Sequence, residues 1–252
     1  MAILELQGLR KQFGELVAVD DIDVSIEEGE IRGLIGPNGS GKTTLFNCVT
    51  GFLHPTRGRV VWQGDDITGK PPHFVAGRGL ARTFQLTTLF KELTALQNVV
   101  TACHLHTGVG LWGQYLMTRK VKARDREIEQ KALGILDRMG IADVRDEVAG
   151  DLPHGHQEAL GVSIALATEP KMLLLDEPVT GMNPSETKDM MERIKGLRDD
   201  GITILLVEHD MKAVMATCEK ITVMNFGKKI CDGDPSGVCA DEGVIEAYLG
   251  RS

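Results

Sequence analysis

Gly36-Pro37-Asn38-Gly39-Ser40-Gly41-Lys42-Thr43 satisfies G-x-x-x-x-G-K-[ST], the pattern of a loop that cradles nucleotide phosphates. It follows a strand-like run, Ile31-Arg32-Gly33-Leu34-Ile35, and opens a helical pattern, Thr44-Leu45-Phe46-Asn47-Cys48-Val49, closed by Gly51. The motif requires that strand–loop–helix context. Glycines let backbone N–H groups turn inward, and the helix N-terminus adds unpaired donors and partial positive charge. Lys42 then reaches the β/γ-phosphates and the Thr43 hydroxyl is placed to ligate Mg²⁺. Binding of a nucleoside triphosphate is implied.

The 252 residues are 42% hydrophobic and 25% charged, which suits a globule with a substantial core. A net charge of −8 argues against a general nucleic-acid surface. No apolar run approaches the ~20 residues that span a bilayer, and Met1-Ala2-Ile3-Leu4-Glu5-Leu6 has no basic lead into an apolar stretch, so no secretory signal is expected. Five scattered cysteines without a C-x-x-C pair suit reduced thiols in the cytoplasm.

Residues 1–30 read as short strands with turns: Ile3-Leu4-Glu5-Leu6, Val17-Ala18-Val19 and Val24-Ser25-Ile26. Val60 to Gly64 reads as another strand entering a turn. Met172-Leu173-Leu174-Leu175, Ile202 to Val207 and Ile221-Thr222-Val223-Met224 are apolar throughout, as central parallel strands require. A helix over Glu186–Arg198 separates the first two, so the second half reads β-α-β-α-β. Between about Leu93 and Leu166 the patterns are helical. The clearest runs from Val121 to Met139, with Ile128, Ala132, Ile135, Leu136 and Met139 on one face and a solvated, charged opposite face. His106 to Gly113 reads as a loop exposing Trp112.

Leu173-Leu174-Leu175-Asp176-Glu177 sets two carboxylates at the end of a buried strand, the edge at which ligands of open α/β sheets sit. Asp176 is expected to hold Mg²⁺ and Glu177 to polarise the attacking water as general base. Ile204 to His209 repeats the geometry and delivers His209 as a polar contact for the γ-phosphate and water. Gln85 is unremarkable by itself.

Together the phosphate loop, Gln85, Leu152-Pro153-His154-Gly155-His156-Gln157, Asp176-Glu177 and His209 resemble, in order and spacing, the ATPase subunit of an ABC transporter, over essentially the whole chain. The resemblance implies an α/β P-loop core (1–86 and 166–252) with an N-terminal antiparallel β layer, and an inserted helical subdomain (87–165) carrying the signature motif. It implies that Gly36 to Thr43 and Thr44 bind nucleotide, and that Phe13 stacks on adenine, the alternative for Phe13 being a packed strand aromatic. Catalysis falls to Glu177, His209, Gln85 and Lys42, and Mg²⁺ to Thr43, Gln85 and Asp176. ATP and Mg²⁺ are the only cofactors implied.

Thr180-Gly181-Met182-Asn183-Pro184-Ser185-Glu186-Thr187 resembles the branched-chain amino-acid transport branch. So do Arg82 to Gln85, Val207 to Met211, Val244 to Gly250 and the glycines near Trp112. The branch implies uptake through a membrane permease, an indirect solute-binding protein outside, and a peripheral place on the inner membrane face. Urea, short amides or other small solutes are alternative cargoes. A permease's cytoplasmic helix is expected near Thr87-Thr88-Leu89-Phe90. Soluble ABC ATPases of DNA repair or translation usually show paired cassettes, coiled-coil insertions or basic surfaces; this chain has none of them.

The chain departs from the family in its signature, Leu-Ser-Gly-Gly-Gln, which serves the ATP of a partner subunit. Pro153 stands at the serine and His156 at the glutamine, while Gly155 is retained. Proline offers neither hydroxyl nor N–H. Either the chain pairs with a different ATPase subunit bearing an intact signature, or it homodimerises with two weak ones, or His156 or Gln157 compensates. A regulatory module that scarcely hydrolyses is opposed by Glu177 and His209. His154-x-His156 and His104-x-His106 lack further ligands for zinc.

Overall fold

A computed structural model describes residues 1–83, 89–106 and 119–249. Gln85, Thr87, Thr88 and the segment around Trp112 lie outside the described residues. The chain forms two compact units, Met1–Arg82 with Lys171–Glu177 and Ile194–Ser252, and Thr83–Pro170 with Pro178–Arg193.

The first unit holds two sheets. One is antiparallel, in the order β2-β1-β4-β5, from β1 (Ala2–Phe13), β2 (Leu16–Glu27), β4 (Arg57–Trp62) and β5 (Asp65–Asp66). The other runs β10-β9-β3-β8-β7-β6, from β3 (Ile31–Ile35), β6 (Leu80–Arg82), β7 (Met172–Asp176), β8 (Thr203–Val207), β9 (Lys220–Asn225) and β10 (Lys228–Gly233). All its pairings are parallel except β9 with β10. Every residue of β3 and β8 is buried. Apolar runs without alternation become central parallel strands because both of their faces are covered.

β2 is one continuous strand where two short ones are expected from the sequence. Its buried positions are Val19 and then Ile22, Val24 and Ile26, a change of phase that a simple alternation cannot make. A register shift between Leu9 and Lys11 on β1, with Asp21 in a left-handed conformation (φ 57°), inserts the extra residue. β1 makes the same change between Leu6 and Leu9 beside Gly8 (φ 55°). Such bulges keep apolar side chains on the core face across a break in pattern. β6 and β10 carry no sequence signal: the first is three residues long, and the second is an edge strand with no fully buried residue.

The helices of this unit are α1 (Lys42–Val49), α2 (Pro72–Gly77), α7 (Met211–Thr217), α8 (Pro235–Ala240) and α9 (Glu242–Leu249). Asp210 starts α7 by accepting from the Lys212 and Ala213 amides.

The second unit is helical among its described residues: α3 (Ala95–His106), α4 (Arg119–Arg138), α5 (His154–Leu166), most of α6 (Pro184–Asp199) and two short 3-10 turns. Thr94 and Gln97 cap α3 reciprocally, at 3.0 and 3.1 Å. Buried Asn98 ties the preceding loop down through the Phe90 and Thr94 carbonyls and the Phe90 amide. On α4 the apolar stripe Ile128, Ala132, Ile135 and Leu136 is buried, together with Met139 just beyond its end.

Candidate functional site

Strand β3 releases the chain at Ile35 in the middle of the six-stranded sheet, and the loop that follows is tightly confined at two of its glycines. A Cβ on Gly36 would lie 2.1 Å from the Met224 carbonyl oxygen, and one on Gly41 would lie 2.3 Å from that of Ala18. Both residues hold positive φ, 150° and 103°. The loop is fastened from outside by the Gly227 amide, which donates to Ser40 O at 2.9 Å, while the Asp20 amide donates to Gly227 O at 2.7 Å. Tyr248 of α9 approaches it from the C-terminal end; burial pushes its phenol upward, opposed by an interaction with the Gly36 backbone.

Helix α1 begins at Lys42 with neither a side-chain cap nor an acidic residue in its first turn. Its leading amides are therefore available to an anion. Lys42 is 7% exposed, and its ammonium donates to Gly36 O (2.7 Å) and Pro37 O (3.1 Å). Burial lowers its pKa, against the opposing pull of Glu177 and Asp176. The buried Ser40 hydroxyl has no hydrogen-bond partner. A cavity of about 390 Å³ opens here. Asn38 to Thr44 line it with Glu177 and His209, and Leu16, Val17, Ala18, Phe226 and Gly227 complete its wall.

The two carboxylates at the end of β7 face different partners. Asp176 accepts from Arg82 Nη2 at 2.7 Å, and Arg82 Nη1 donates to Asn47 Oδ1 at 2.6 Å. The Arg82 and Asp176 side chains are 8% and 14% exposed. Glu177 turns back into the cavity through a left-handed backbone (φ 54°), anchored by its amide to Val207 O at 2.9 Å. Its Oε1 lies 2.7 Å from His209 Nε2. A non-glycine residue held left-handed costs on the order of 1–3 kcal/mol and persists where its surroundings over-determine it. An acceptor carboxylate paired with an imidazole, opposite a cationic loop, can take a proton from water.

The structure thus brings Asn38, Gly39, Ser40, Gly41, Lys42, Thr43, Thr44, Glu177 and His209 to one cavity. Gly36 and Pro37 contribute carbonyls to Lys42 rather than lining. Asp176 sits one residue back, held by Arg82. Phe13 does not line the cavity; it is 45% exposed at the end of β1, with the Lys11 ammonium 4.9 Å from its ring centre. Sequence reasoning treated Arg82 only as a mark of lineage and passed over Phe226. No local signal joins Arg82 to a carboxylate 94 positions away.

The signature segment belongs to the second unit. Leu152 is buried, and Pro153 caps α5 with no side-chain hydrogen bond. His154 Nε2 pairs with Thr180 O at 2.8 Å, and the Gln157 amide donates to Leu152 O at 2.8 Å. His156 Nδ1 is buried without a hydrogen-bond partner. Gly155 is hemmed only loosely, by Met182 and Glu186 at 3.8 Å from a notional Cβ.

With this geometry in hand, comparison with known proteins is specific. A family model described as ABC transporter matches residues 19–180, and one described as Branched-chain amino acid ATP-binding cassette transporter matches residues 228–252. The chain is 40% identical over 251 residues to the high-affinity branched-chain amino acid transport ATP-binding protein BraF of Pseudomonas aeruginosa, covering 99% of this chain and 98% of that one. A nucleotide-free ATP-binding cassette from an ABC transporter superposes with a TM-score of 0.87 at 33% identity, covering 100% of both chains. The ADP conformation of such a cassette gives 0.86 at 33% identity, again over 100% of both.

Proposed function

This chain belongs to the ABC transporter family and is an ATP-binding, ATP-hydrolysing subunit of that α/β P-loop type, and from that premise we propose that it energises uptake of branched-chain amino acids or a closely related small solute. The observation that carries the cargo class is the double likeness: BraF over nearly the whole chain, and the branched-chain model over the C-terminal 228–252.

The division of labour follows from the cavity. Loop amides and the open N-terminus of α1 hold the phosphates, with Lys42 leaving the Gly36 and Pro37 carbonyls for the β/γ-phosphates. The partnerless Ser40 hydroxyl, buried in that cradle, suits a phosphate oxygen. Phe13, with one face under the Lys11 ammonium, receives the adenine. Glu177 accepts the proton of the attacking water, and His209, 2.7 Å away, fixes its orientation and contacts the γ-phosphate side. Gln85, which lies outside the described residues, is assigned to that water and to the metal by the resemblance of the sequence alone.

Thr43 and Asp176 supply hard oxygen donors, which fits Mg²⁺; this ion keeps several waters and takes few protein ligands. Among the described residues no cluster of three His, Cys, Asp or Glu side chains competes for it. Bound there, it would supply positive charge to offset the negative charge developing on the phosphate oxygens. Asp176, kept in place by Arg82, is its anchor on the sheet.

The signature supports an asymmetric dimer. Pro153 donates nothing, the Gln157 side-chain amide is already engaged by the Leu152 carbonyl, and His156 Nδ1 is buried away from a partner's nucleotide. Neither stands ready to replace a serine hydroxyl. The partner is therefore a second ATPase subunit with an intact signature, both being held on the cytoplasmic side by permease subunits that a solute-binding protein feeds from outside. No helix among the described residues is long and apolar enough to cross a membrane itself. The test is reconstitution with the permease and each candidate second subunit, followed by ATP-dependent uptake of radiolabelled leucine. Uptake that requires Lys42 supports the reading. An assembled complex that hydrolyses ATP but takes up no branched-chain amino acid overturns the cargo.

A further inference from the structure

Strands β9 and β10 are joined by two residues, Phe226 and Gly227, with Asn225 paired to Lys228. Both have positive φ, 45° and 78°, as a type I′ hairpin turn demands. The first central position of that turn favours Asn, Asp or Gly, and a bulky side chain there is an outlier. Phe226 gains nothing from the folded chain in return, because it is 86% exposed. A strained, solvated aromatic on a rigid turn invites a functional explanation.

Its position supplies one. The turn is held on both sides, by Gly227 N to Ser40 O at 2.9 Å and Asp20 N to Gly227 O at 2.7 Å, so it moves with the phosphate loop and β2. Phe226 lines the phosphate-loop cavity, whose wall also includes Leu16. Apart from Met1, Phe226 and Leu16 (67% exposed) are the two most exposed large hydrophobic residues among the described residues. Lys42, Thr43 and the loop amides make the other part of the cavity polar. A ligand that matches both parts carries phosphates at one end and a flat, less polar group at the other.

We propose that Phe226 is a nucleoside-binding residue, its ring packing against the ribose and base of the nucleotide whose phosphates lie on the loop, with Leu16 on the same rim. This rests on the ATP-binding reading of the site and extends it to a second aromatic, distinct from Phe13. The strain at Phe226 persists because the side chain, rather than the turn, is what the site needs.

Phe226→Asn restores a favoured turn residue and removes the ring, so stability and affinity should move in opposite directions. Calorimetric titration should show ATP and ADP binding weakened about tenfold, in the range of base–aromatic stacking, with inorganic tripolyphosphate unchanged and the melting temperature raised. Phe226→Trp keeps a ring there, should hold ATP within about threefold of the parent, and should report ATP but not tripolyphosphate by fluorescence above the parent's own tryptophan signal. Unchanged ATP affinity in Phe226→Asn, or equal weakening of ATP and tripolyphosphate, overturns the proposal. So does a silent Phe226→Trp signal under saturating ATP. A parent protein that binds neither ligand overturns the nucleotide site itself, and this inference with it.

Discussion

Replacing Arg82 by methionine tests whether Asp176 depends on the guanidinium beside it. The pair is held at 2.7 Å with 8% and 14% side-chain exposure, so solvent screens it far less than it would a surface pair. Methionine fills the space of the Arg82 stem but leaves the carboxylate without that cation. Breaking a buried pair from one side costs about 3–5 kcal/mol, and the residual exposure of Asp176 argues for the low end, about 3 kcal/mol. Unfolding entropy of about 2.1 cal/mol/K per residue gives ~0.5 kcal/mol/K for the whole chain, so the melting temperature should fall by about 6 °C. Adding Asp176→Asn removes the stranded charge and should return at least about half of that loss. Mg-ATP should stabilise Arg82→Met more than the parent, since bound cation then meets a carboxylate with no guanidinium beside it. Differential scanning calorimetry of the parent, both single variants and the double variant measures all of this. A fall of less than 2 °C in Arg82→Met, or simple additivity in the double variant, refutes the reasoning.

Gly36→Ala places a Cβ 2.1 Å from the Met224 carbonyl oxygen, whereas Gly39→Ala meets nothing within 4 Å and suffers only its φ of 79°. ATP binding, read by equilibrium titration, should be lost in the first and largely kept in the second. Glu177→Gln should still bind ATP but lose hydrolysis by roughly 10²–10⁴-fold, visible in single-turnover phosphate release. Alkylation of the native protein at neutral pH, followed by peptide mass mapping, should modify exposed Cys239 first. Cys48 and Cys218 should resist, because both are buried and burial pushes their thiols up to about 11 and about 12. Asp210→Ala removes the cap of α7 and should cost about 1 kcal/mol in chemical denaturation.

The placement of the candidate site is legible in sequence where its residues are contiguous. Gly36 to Thr43 sits between a fully buried strand and a helix start, and each of the three reads from contiguous residues. Asp176-Glu177 and His209 read equally well, because strand-end position follows from the apolar runs before them. What was missed depends on neighbours distant along the chain. Arg82 lies at the end of a three-residue strand whose only pairing among the described residues is with β7, and nothing near it in sequence announces Asp176. The left-handed turn at Glu177 is imposed by the Val207 carbonyl, again a tertiary contact. In sequence β2 divides in two because the alternation breaks at Asp20-Asp21, and the bulge explains how one strand survives the break. For Phe226 the only local signal is the glycine that follows it, just beyond a buried strand, which suggests a turn there. That pattern gives the turn but not the cavity it faces.

The place of β3 in the sheet also sets when this protein can become active during synthesis. Its two neighbours, β8 and β9, are encoded roughly 170–190 residues later, and the hairpin that fastens the phosphate loop comes later still. At roughly 5–20 residues per second, ribosomes need on the order of 10–40 s to deliver them. Throughout that interval a strand that is apolar but for Gly33 and the single charge of Arg32 waits with both of its edges unpaired, an arrangement prone to pairing with another chain. ATP meets no finished cradle in the nascent protein until Phe226 and Gly227 have emerged to fasten the phosphate loop.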